Sequence, residues 1–122
     1  MAKRVLVIDD EPSIVKMVEF RLKKEGLDVI VAQNGTEGLE KAKEEIPDLI
    51  LLDVTMPGMN GHEVLVKLKE MPDTKSIPVI MFTAKGQVED IERSSREGAV
   101  DYIAKPYDPA TLLGKVKKAL EE

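Results

Sequence analysis

PDLILLDVTMPGMNG, at residues 47–61, contains the apolar run LILL (49–52), which ends directly in Asp53. The run does not alternate with polar residues, and such runs are typical of strands that are buried on both faces of a parallel sheet. Pro47 precedes the run and cannot continue a helix, so any helix before it has ended by that point. The segment predicts a short buried strand that presents an aspartate at its carboxyl end.

Four further apolar runs flank this segment, namely VLVI (5–8), VIVA (29–32), VIMF (79–82) and YIA (102–104). Segments with helical character follow the five runs, at residues 14–22, 35–45, 62–70, 87–97 and 109–121. A strand–helix pair repeated in this way predicts an α/β fold, a doubly wound parallel sheet with helices on both faces. The helix at 87–97 has only Val88 and Ile91 as apolar residues, so we expect it to be the least firmly packed.

Single residues in the first helix and its neighbourhood lead to further expectations. Ile14, Val18 and Leu22 share one face of this helix, with Met17 beside them, and this face is expected to pack on the sheet. Gly26 is expected to end the helix, because glycine commonly follows the last helical turn.

The loop MPGMNG, at residues 56–61, is expected to hold Asp53 in place. Gly58 and Gly61 are expected to supply positive φ angles, which glycine adopts without steric cost. The methionines of the loop are expected to pack beneath it. His62 follows the loop and is expected to be exposed and without a function.

Length and composition exclude several classes of protein. A chain of 122 residues and 13.5 kDa favours one domain, at residues 1–122. It has no cysteine and one histidine, which excludes disulfides, thiolate sites and zinc sites that use two imidazoles. A net charge of −5 with no tryptophan disfavours a direct nucleic-acid partner. No apolar run reaches the ~18 residues of a membrane span, and the start MAKRVLVIDDE is not a signal peptide, so we expect a cytoplasmic protein.

Polar residues follow four of the predicted strands. Asp9 and Asp10 follow the first, Asp53 the third, Thr83 the fourth and Lys105 the fifth. Ligands of open α/β sheets bind beyond the carboxyl ends of the strands, where these residues are expected to meet. Clustered carboxylates suit a hard cation such as Mg²⁺. A carboxylate nucleophile with a divalent cation, a lysine and a hydroxyl is suited to phosphoryl transfer.

Each of these signals has a plainer explanation when it stands alone. An acidic pair after a strand is more often a turn or a helix N-cap, and a Lys-Pro pair is usually a solvated turn. The coincidence of all of them at one edge of the sheet is what favours a functional site.

The chain resembles the receiver domains of bacterial two-component response regulators over its whole length. The resemblance rests on VLVIDDEP (5–12), PDLILLDVTMPGMNG (47–61), IPVIMFTA (77–84) and GAVDYIAKPYDP (98–109), in the expected order and spacing. It implies a flavodoxin-like fold, a five-stranded sheet in the order 2-1-3-4-5 with five flanking helices.

The resemblance also implies a role for each acidic residue. Asp53 is the expected phosphoacceptor. A histidine kinase, a phosphotransfer protein or a small phosphodonor is expected to supply the phosphoryl group. Asp10 is expected to bind Mg²⁺ directly and Asp9 mainly through water. The Asp53 carboxylate and the main-chain carbonyl of Thr55 complete the implied metal ligands.

The remaining implied roles concern the phosphoryl group and its effects. Lys105 is expected to pair with the acidic cluster and then with the phosphoryl group, and its peptide bond to Pro106 to be cis. Thr83 is expected to hydrogen-bond a phosphoryl oxygen, and Tyr102 to rotate between exposed and buried positions. Ala84 is small and leaves access to the site.

Two positions are expected to set the lifetime of the aspartyl phosphate. Thr55 and Lys85 flank the path of the attacking water. Thr55 has only a short hydroxyl, and Lys85 has no acceptor that orients a water's protons, so self-dephosphorylation is expected to be slow.

The implied function is a phosphorylation-controlled switch that acts on a downstream effector through its fourth helix, fifth strand and fifth helix. It is not a metabolic enzyme, since it catalyses only its own phosphorylation and dephosphorylation. Arg93, Asp101 and Lys115 occupy positions that carry charges in receivers that dimerise, but Thr111 replaces an expected acidic residue. We therefore expect a monomer that forms at most a weak dimer when phosphorylated.

Other protein classes fit the sequence less well. A phosphatase of the haloacid dehalogenase type also uses an aspartyl phosphate and Mg²⁺. It needs an Asp-x-Asp motif after its first strand, whereas Asp9 and Asp10 of this sequence are adjacent. P-loop and Rossmann proteins need glycines in the first strand–helix turn, and IDDEPS (8–13) has none. Two aspartates in that turn would repel the phosphate of a flavin. A receiver that no longer accepts phosphate would not need the whole set of site residues.

Overall fold

The computed structural model describes residues 2–84 and 87–121. Strands and helices alternate along it, as follows: β1 (Arg4–Ile8), α1 (Pro12–Lys24), β2 (Asp28–Ala32), α2 (Gly35–Glu45), β3 (Leu49–Asp53), α3 (Gly61–Glu70), β4 (Val79–Ala84), α4 (Val88–Arg96), β5 (Asp101–Lys105) and α5 (Pro109–Glu121). None of these helices is long and apolar enough to cross a membrane.

The strands form one five-stranded parallel sheet in the order β2-β1-β3-β4-β5, which confirms the predicted fold. In its register Ile8 lies opposite Leu52, and Asp53 lies opposite Phe82. The carboxyl ends of the three central strands therefore meet at one edge. β1, β3 and β4 are almost fully buried. The run VIVA (29–32) also favours a strand buried on both faces, but β2 is only half-buried, because it lies at an edge of the sheet.

Alternate residues of each central strand enter two separate apolar cores. One core contains Leu6, Ile50, Leu52 and Met81 together with side chains of α2 and α3. The other contains Val7, Leu51 and Phe82 together with side chains of α1 and α5. The sheet is thereby covered on both faces, which fixes the register of its strands.

The packing of α1 differs in part from the prediction. Val18 and Leu22 are buried and Ile14 packs against the same core, as expected. Val15 is buried as well, whereas Met17 is 51% exposed. The placement of Met17 beside the core was wrong, because a step of one residue rotates a side chain by about 100° around the helix axis. Gly26 follows the helix with a φ of 84°, as predicted.

In the loop between β3 and α3, one of the two predicted positive φ angles was wrong, and the predicted packing of the methionines is confirmed. Gly58 has a φ of 78°, but Gly61 does not have a positive φ. A glycine is needed at position 61 because the backbone there packs closely against the end of β3. A Cβ at this position would lie 2.2 Å from the carbonyl oxygen of Asp53. Met56 is buried and Met59 packs against the core, as expected.

Candidate functional site

The acidic residues meet at the carboxyl edge of the sheet. Asp9 and Asp10 follow β1, and Asp53 ends the neighbouring strand β3. One carboxylate oxygen from each lies within 4.8 Å of the others. Asp9 and Asp53 are buried and Asp10 is exposed, so the cluster opens to solvent on one side.

Lys105, at the end of β5, reaches this cluster across β4. Its Nζ lies 2.9 Å from Asp9 Oδ2 and 3.3 Å from Asp53 Oδ1. Glu11, which the sequence analysis did not single out, is a third partner, with its Oε1 3.1 Å from Nζ. Glu11 also donates its backbone N–H to Asp9 Oδ1 at 2.9 Å. The three consecutive carboxylates of residues 9–11 were the available signal for this role.

The electrostatics of the cluster oppose a full set of negative charges. Burial first, and then the charge of Asp9, raise the pKa of Asp53 to about 7, although Lys105 and the N–H of Thr55 lower it in part. Burial opposes the positive charge of Lys105, but its hydrogen bond to Asp9 and the charges of Asp53 and Asp9 outweigh that effect and raise the pKa of Lys105. The site therefore favours added positive charge.

Backbone contacts position Asp53 firmly. Val54 donates its N–H to the Phe82 carbonyl at 3.0 Å, and Gly61 donates to the Val54 carbonyl at 2.8 Å. The N–H of Thr55 lies 3.3 Å from Asp53 Oδ1, while the residue as a whole is exposed. The loop thus returns onto the strand end that carries the carboxylate.

A cleft of about 630 Å³ opens over Asp53. Its lining includes most of the predicted site residues: Asp10, Glu11, Ile14, Asp53, Thr55, Ala84, Lys105 and Pro106. The Lys105–Pro106 peptide bond is cis. Ala84 is exposed and lies opposite Lys105 in the sheet register. Lys85, the second residue predicted to tune the lifetime, lies outside the described residues.

Thr83 and Tyr102 lie on neighbouring strands behind the cleft. Thr83 is 1% exposed, and its Oγ1 has no hydrogen-bond partner among the described residues. Tyr102 is 37% exposed, and the Nζ of Lys115 lies 4.3 Å from the centre of its ring. Lys115 also pairs with Asp101 at 3.2 Å. The exposed position of Tyr102 is therefore stabilised by a cation–π contact.

His62 is buried, so the expectation that it is exposed was wrong. The residue is 3% exposed, with Nδ1 2.8 Å from Glu97 Oε1 and Nε2 3.2 Å from Asp90 Oδ1. The first turn of α3 faces α4, and α4 offers carboxylates there rather than apolar side chains. Because these partners lie 35 and 28 residues further along the chain, no local sequence signal indicated the contact.

Comparisons with known proteins agree with this architecture. The family model described as the response regulator receiver domain matches residues 5–117. The chain therefore belongs to the receiver domain family of response regulators, which act in two-component signalling and interact with histidine kinases and effectors.

Individual relatives cover the chain to different extents. The chain is 39% identical over 117 residues to PilH of Pseudomonas aeruginosa, covering 96% of this chain and 97% of PilH. It is 42% identical over 120 residues to the alkaline phosphatase synthesis transcriptional regulatory protein PhoP of Bacillus subtilis, covering 98% of this chain but only 49% of PhoP. The chain thus spans about half the length of that regulator.

A solved structure shares the whole fold. The chemotaxis response regulator CheY4 of Vibrio cholerae superposes with a TM-score of 0.92 at 33% identity, covering 98% of this chain and 100% of that structure.

Proposed function

We propose that this receiver domain is a switch controlled by phosphorylation of Asp53. A histidine kinase, a phosphotransfer protein or a small phosphodonor supplies the phosphoryl group, and α4, β5 and α5 pass the change to a downstream effector. The observation that carries the proposal is the buried Asp53 carboxylate, held 3.3 Å from Lys105 within an acidic cluster and beneath an open cleft.

The cluster fits a Mg²⁺ ion. Its donors are carboxylate oxygens, which this cation prefers, and three of them lie within 4.8 Å of one another. The raised pKa of Asp53 indicates a deficit of positive charge that Lys105 alone does not correct. Asp10 would hold the ion directly and Asp9 mainly through water, together with the Asp53 carboxylate and the Thr55 carbonyl. Bound there, Mg²⁺ would neutralise charge on the carboxylate and phosphoryl oxygens.

The chemical step needs a positioned nucleophile. An Asp53 oxygen attacks phosphorus, and the bond from phosphorus to the donor's nitrogen or oxygen breaks as the new P–O bond forms. The leaving group keeps the electron pair and takes its proton from solvent. Lys105 fixes the carboxylate before the step and pairs with the phosphoryl oxygens after it. In this account the domain catalyses only its own phosphorylation and the later hydrolysis, and it is not a metabolic enzyme.

The response starts at Thr83. Its buried hydroxyl lacks a partner among the described residues, and a phosphoryl group supplies acceptor oxygens. Movement of Thr83 towards the phosphoryl group leaves space that the Tyr102 ring fills. The ring must leave its contact with Lys115 to do so, which changes the surface formed by α4, β5 and α5.

Self-association is weak in this account. Arg93 pairs with Glu97 of its own chain at 3.2 Å, and Lys115 pairs with Asp101. A dimer that recruits these charges must first exchange internal pairs for external ones, and exposed pairs contribute less than about 1 kcal/mol each. The unphosphorylated protein is a monomer, and phosphorylation produces at most a weak dimer.

Intact-mass measurement tests the phosphoacceptor. Incubation with a small phosphodonor and Mg²⁺ should add one phosphoryl group, and Asp53→Asn should abolish the gain. Asp73→Asn is the matched control, since Asp73 is exposed and lies outside the acidic cluster. A metal chelator should also abolish the gain in the wild type. A mass gain that persists in Asp53→Asn would assign the phosphoryl group to another residue.

A further inference from the structure

α4 has little apolar packing that fixes its position. Among its nine residues, all within the described part of the chain, Ser94 alone is buried. Val88, at its start, is 58% exposed, and the side chain of its N-cap residue, Gln87, makes no capping hydrogen bond with the described residues. A helix this short is not stable on its own in water, so contacts from other elements must hold it.

One side chain of α3 contacts both ends of α4. Asp90 lies in the first turn of α4, and Glu97 is its C-cap residue. The two ring nitrogens of His62 face these carboxylates at 3.2 and 2.8 Å. The ring is almost fully buried, while the two carboxylate side chains that it contacts are partly exposed.

The geometry favours a charged ring. A carboxylate only accepts hydrogen bonds, and a neutral imidazole has a single N–H to donate. Both contacts of His62 are hydrogen bonds only when the ring carries two N–H groups and a positive charge. The two carboxylates compensate that charge in spite of the burial of the ring, whereas a neutral ring donates to only one of them.

The neighbouring charges do not replace the one on His62. Arg93 of α4 donates to the other oxygen of Glu97 at 3.2 Å. On α3, Glu63 is turned to the backbone N–H of Asn60, and Lys69 donates to two backbone carbonyls. Glu97 also lies at the C-terminal end of α4, where the helix dipole disfavours an anion. The imidazolium therefore adds a second positive charge, beside that of Arg93, next to Glu97.

The backbone of His62 lies next to the proposed phosphorylation site. His62 directly follows Gly61, whose Cα packs so closely on Asp53 that a Cβ would clash with the Asp53 carbonyl oxygen. The backbone of His62 is therefore fixed to the strand end that carries the phosphoacceptor, while its ring holds a helix that is otherwise loosely packed.

We propose that His62 is a positioning residue that, in its protonated form, clamps both ends of α4 and limits how far α4 moves. The clamp itself is a property of the unphosphorylated protein. Its consequence, a smaller response of α4 to phosphorylation at low pH than at high pH, rests on the proposed function of Asp53.

Amide hydrogen exchange with the unphosphorylated protein tests the clamp. His62 is the only histidine of the chain, so one imidazole resonance reports its protonation. We expect protection factors of residues 88–96 to fall about tenfold as that resonance shows the ring losing its proton. His62→Gln should have the lower protection at every pH, while Lys67→Gln, which removes an exposed positive charge from α3, should behave like the wild type.

Protection of α4 that changes with pH in the same way in His62→Gln would overturn the proposal. Should that variant fail to fold by circular dichroism, Glu97→Gln provides a second route, because it leaves the buried ring in place. It should lower the protection of α4 at low pH, and unchanged protection there would also overturn the proposal.

A second arm separates this proposal from the proposed function. After phosphorylation, chemical-shift changes in α4 should be larger in His62→Gln than in the wild type, at a pH where the imidazole resonance shows a protonated ring in the wild type. Equal changes would contradict the clamp as a limit on the response. An absence of phosphoryl incorporation in both proteins contradicts the role of Asp53 instead, and the exchange experiment still decides on the clamp.

Discussion

α3 and α4 are neighbouring helices of similar length, but they are held in different ways. α3 buries five residues, and a capping box between Asn60 and Glu63 closes its first turn. In α4, whose nine residues are all described, only Ser94 is buried, and the N-cap residue Gln87 makes no side-chain capping hydrogen bond with the described residues. α3 adjoins the end of the strand that carries Asp53, whereas α4 adjoins the surface around Tyr102. The proposed phosphorylation site thus adjoins a firmly packed helix, whereas the proposed output surface includes α4, a helix with few buried residues, and such segments move most easily.

The largest expected effect comes from disturbing the firmly packed part. Gly61→Ala places a Cβ 2.2 Å from the Asp53 carbonyl oxygen and 2.7 Å from the Val54 Cα. Because both neighbours are backbone atoms of the site, we expect a loss of about 3 kcal/mol in the free energy of unfolding and much slower phosphorylation. Denaturant unfolding and the intact-mass assay measure the two effects.

Gly114→Ala is the matched control for this substitution. Gly114 lies in α5, and a Cβ there would have no neighbour within 4 Å in the part of the chain that the structure describes. Alanine is the better helix former, so this variant should gain up to about 1 kcal/mol. Equal effects at the two glycines would show that the loop onto Asp53 is not tightly packed.

The second effect concerns the ionisation of Asp53 within the acidic cluster and its cost in the free energy of unfolding. Burial and Asp9 raise the pKa of Asp53 to about 7, so without metal its ionisation destabilises the folded protein as pH rises towards that value. In the presence of a chelator, Asp53→Asn should therefore stabilise the protein by roughly 2 kcal/mol at pH 8 and by less at pH 5. Thermal unfolding at the two pH values measures the difference.

Mg²⁺ provides the control for that experiment. Added Mg²⁺ should stabilise the wild type more than Asp53→Asn, which reduces the difference between the two proteins at pH 8. A gain in Asp53→Asn that is larger at pH 5 than at pH 8 would contradict the proposed electrostatics of the cluster.

A smaller effect is expected at the mouth of the cleft. Thr55 is exposed beside Asp53, and neither Thr55 nor Lys85 has an amide or carboxylate that holds an attacking water. We expect the phosphorylated wild type to persist for many minutes or longer. Thr55→Asn combined with Lys85→Glu should shorten that lifetime about tenfold, or ~1.4 kcal/mol of barrier. An unchanged decay of the phosphorylated mass would show that these positions do not control the water.

The firmly packed part was also the more predictable part. The run at residues 49–52 is apolar throughout, so its burial and the position of Asp53 followed from the sequence pattern alone. The pairing of Lys105 with Asp53 required the strand order, because β4 lies between the two strands. That order came from the resemblance to receiver domains, since helical periodicity does not specify which strands are neighbours.

The contacts around α4 were not predictable in the same way. His62 was expected to be exposed because polar residues near the start of a helix usually are. Its burial depends on two carboxylates that only the tertiary structure brings near.

The role of Gly61, at the start of α3, was also not predictable. It was expected to have a positive φ, since a sequence does not distinguish a glycine needed for its torsion from one needed for its small size. Long-range polar contacts and close backbone approaches leave no periodic pattern.

The central claim is that phosphorylation of Asp53 is passed through Thr83 to α4 and β5, and backbone NMR tests it most directly. With Mg²⁺ and a phosphodonor, amide shifts of residues 87–105 should change strongly, while those of β1 and the first residues of β3 should change little. Thr83→Ala should still gain the phosphoryl group, but it should lose most of the changes in residues 87–105. Changes of the same size in Thr83→Ala, or changes spread evenly over the whole sheet, would contradict the account.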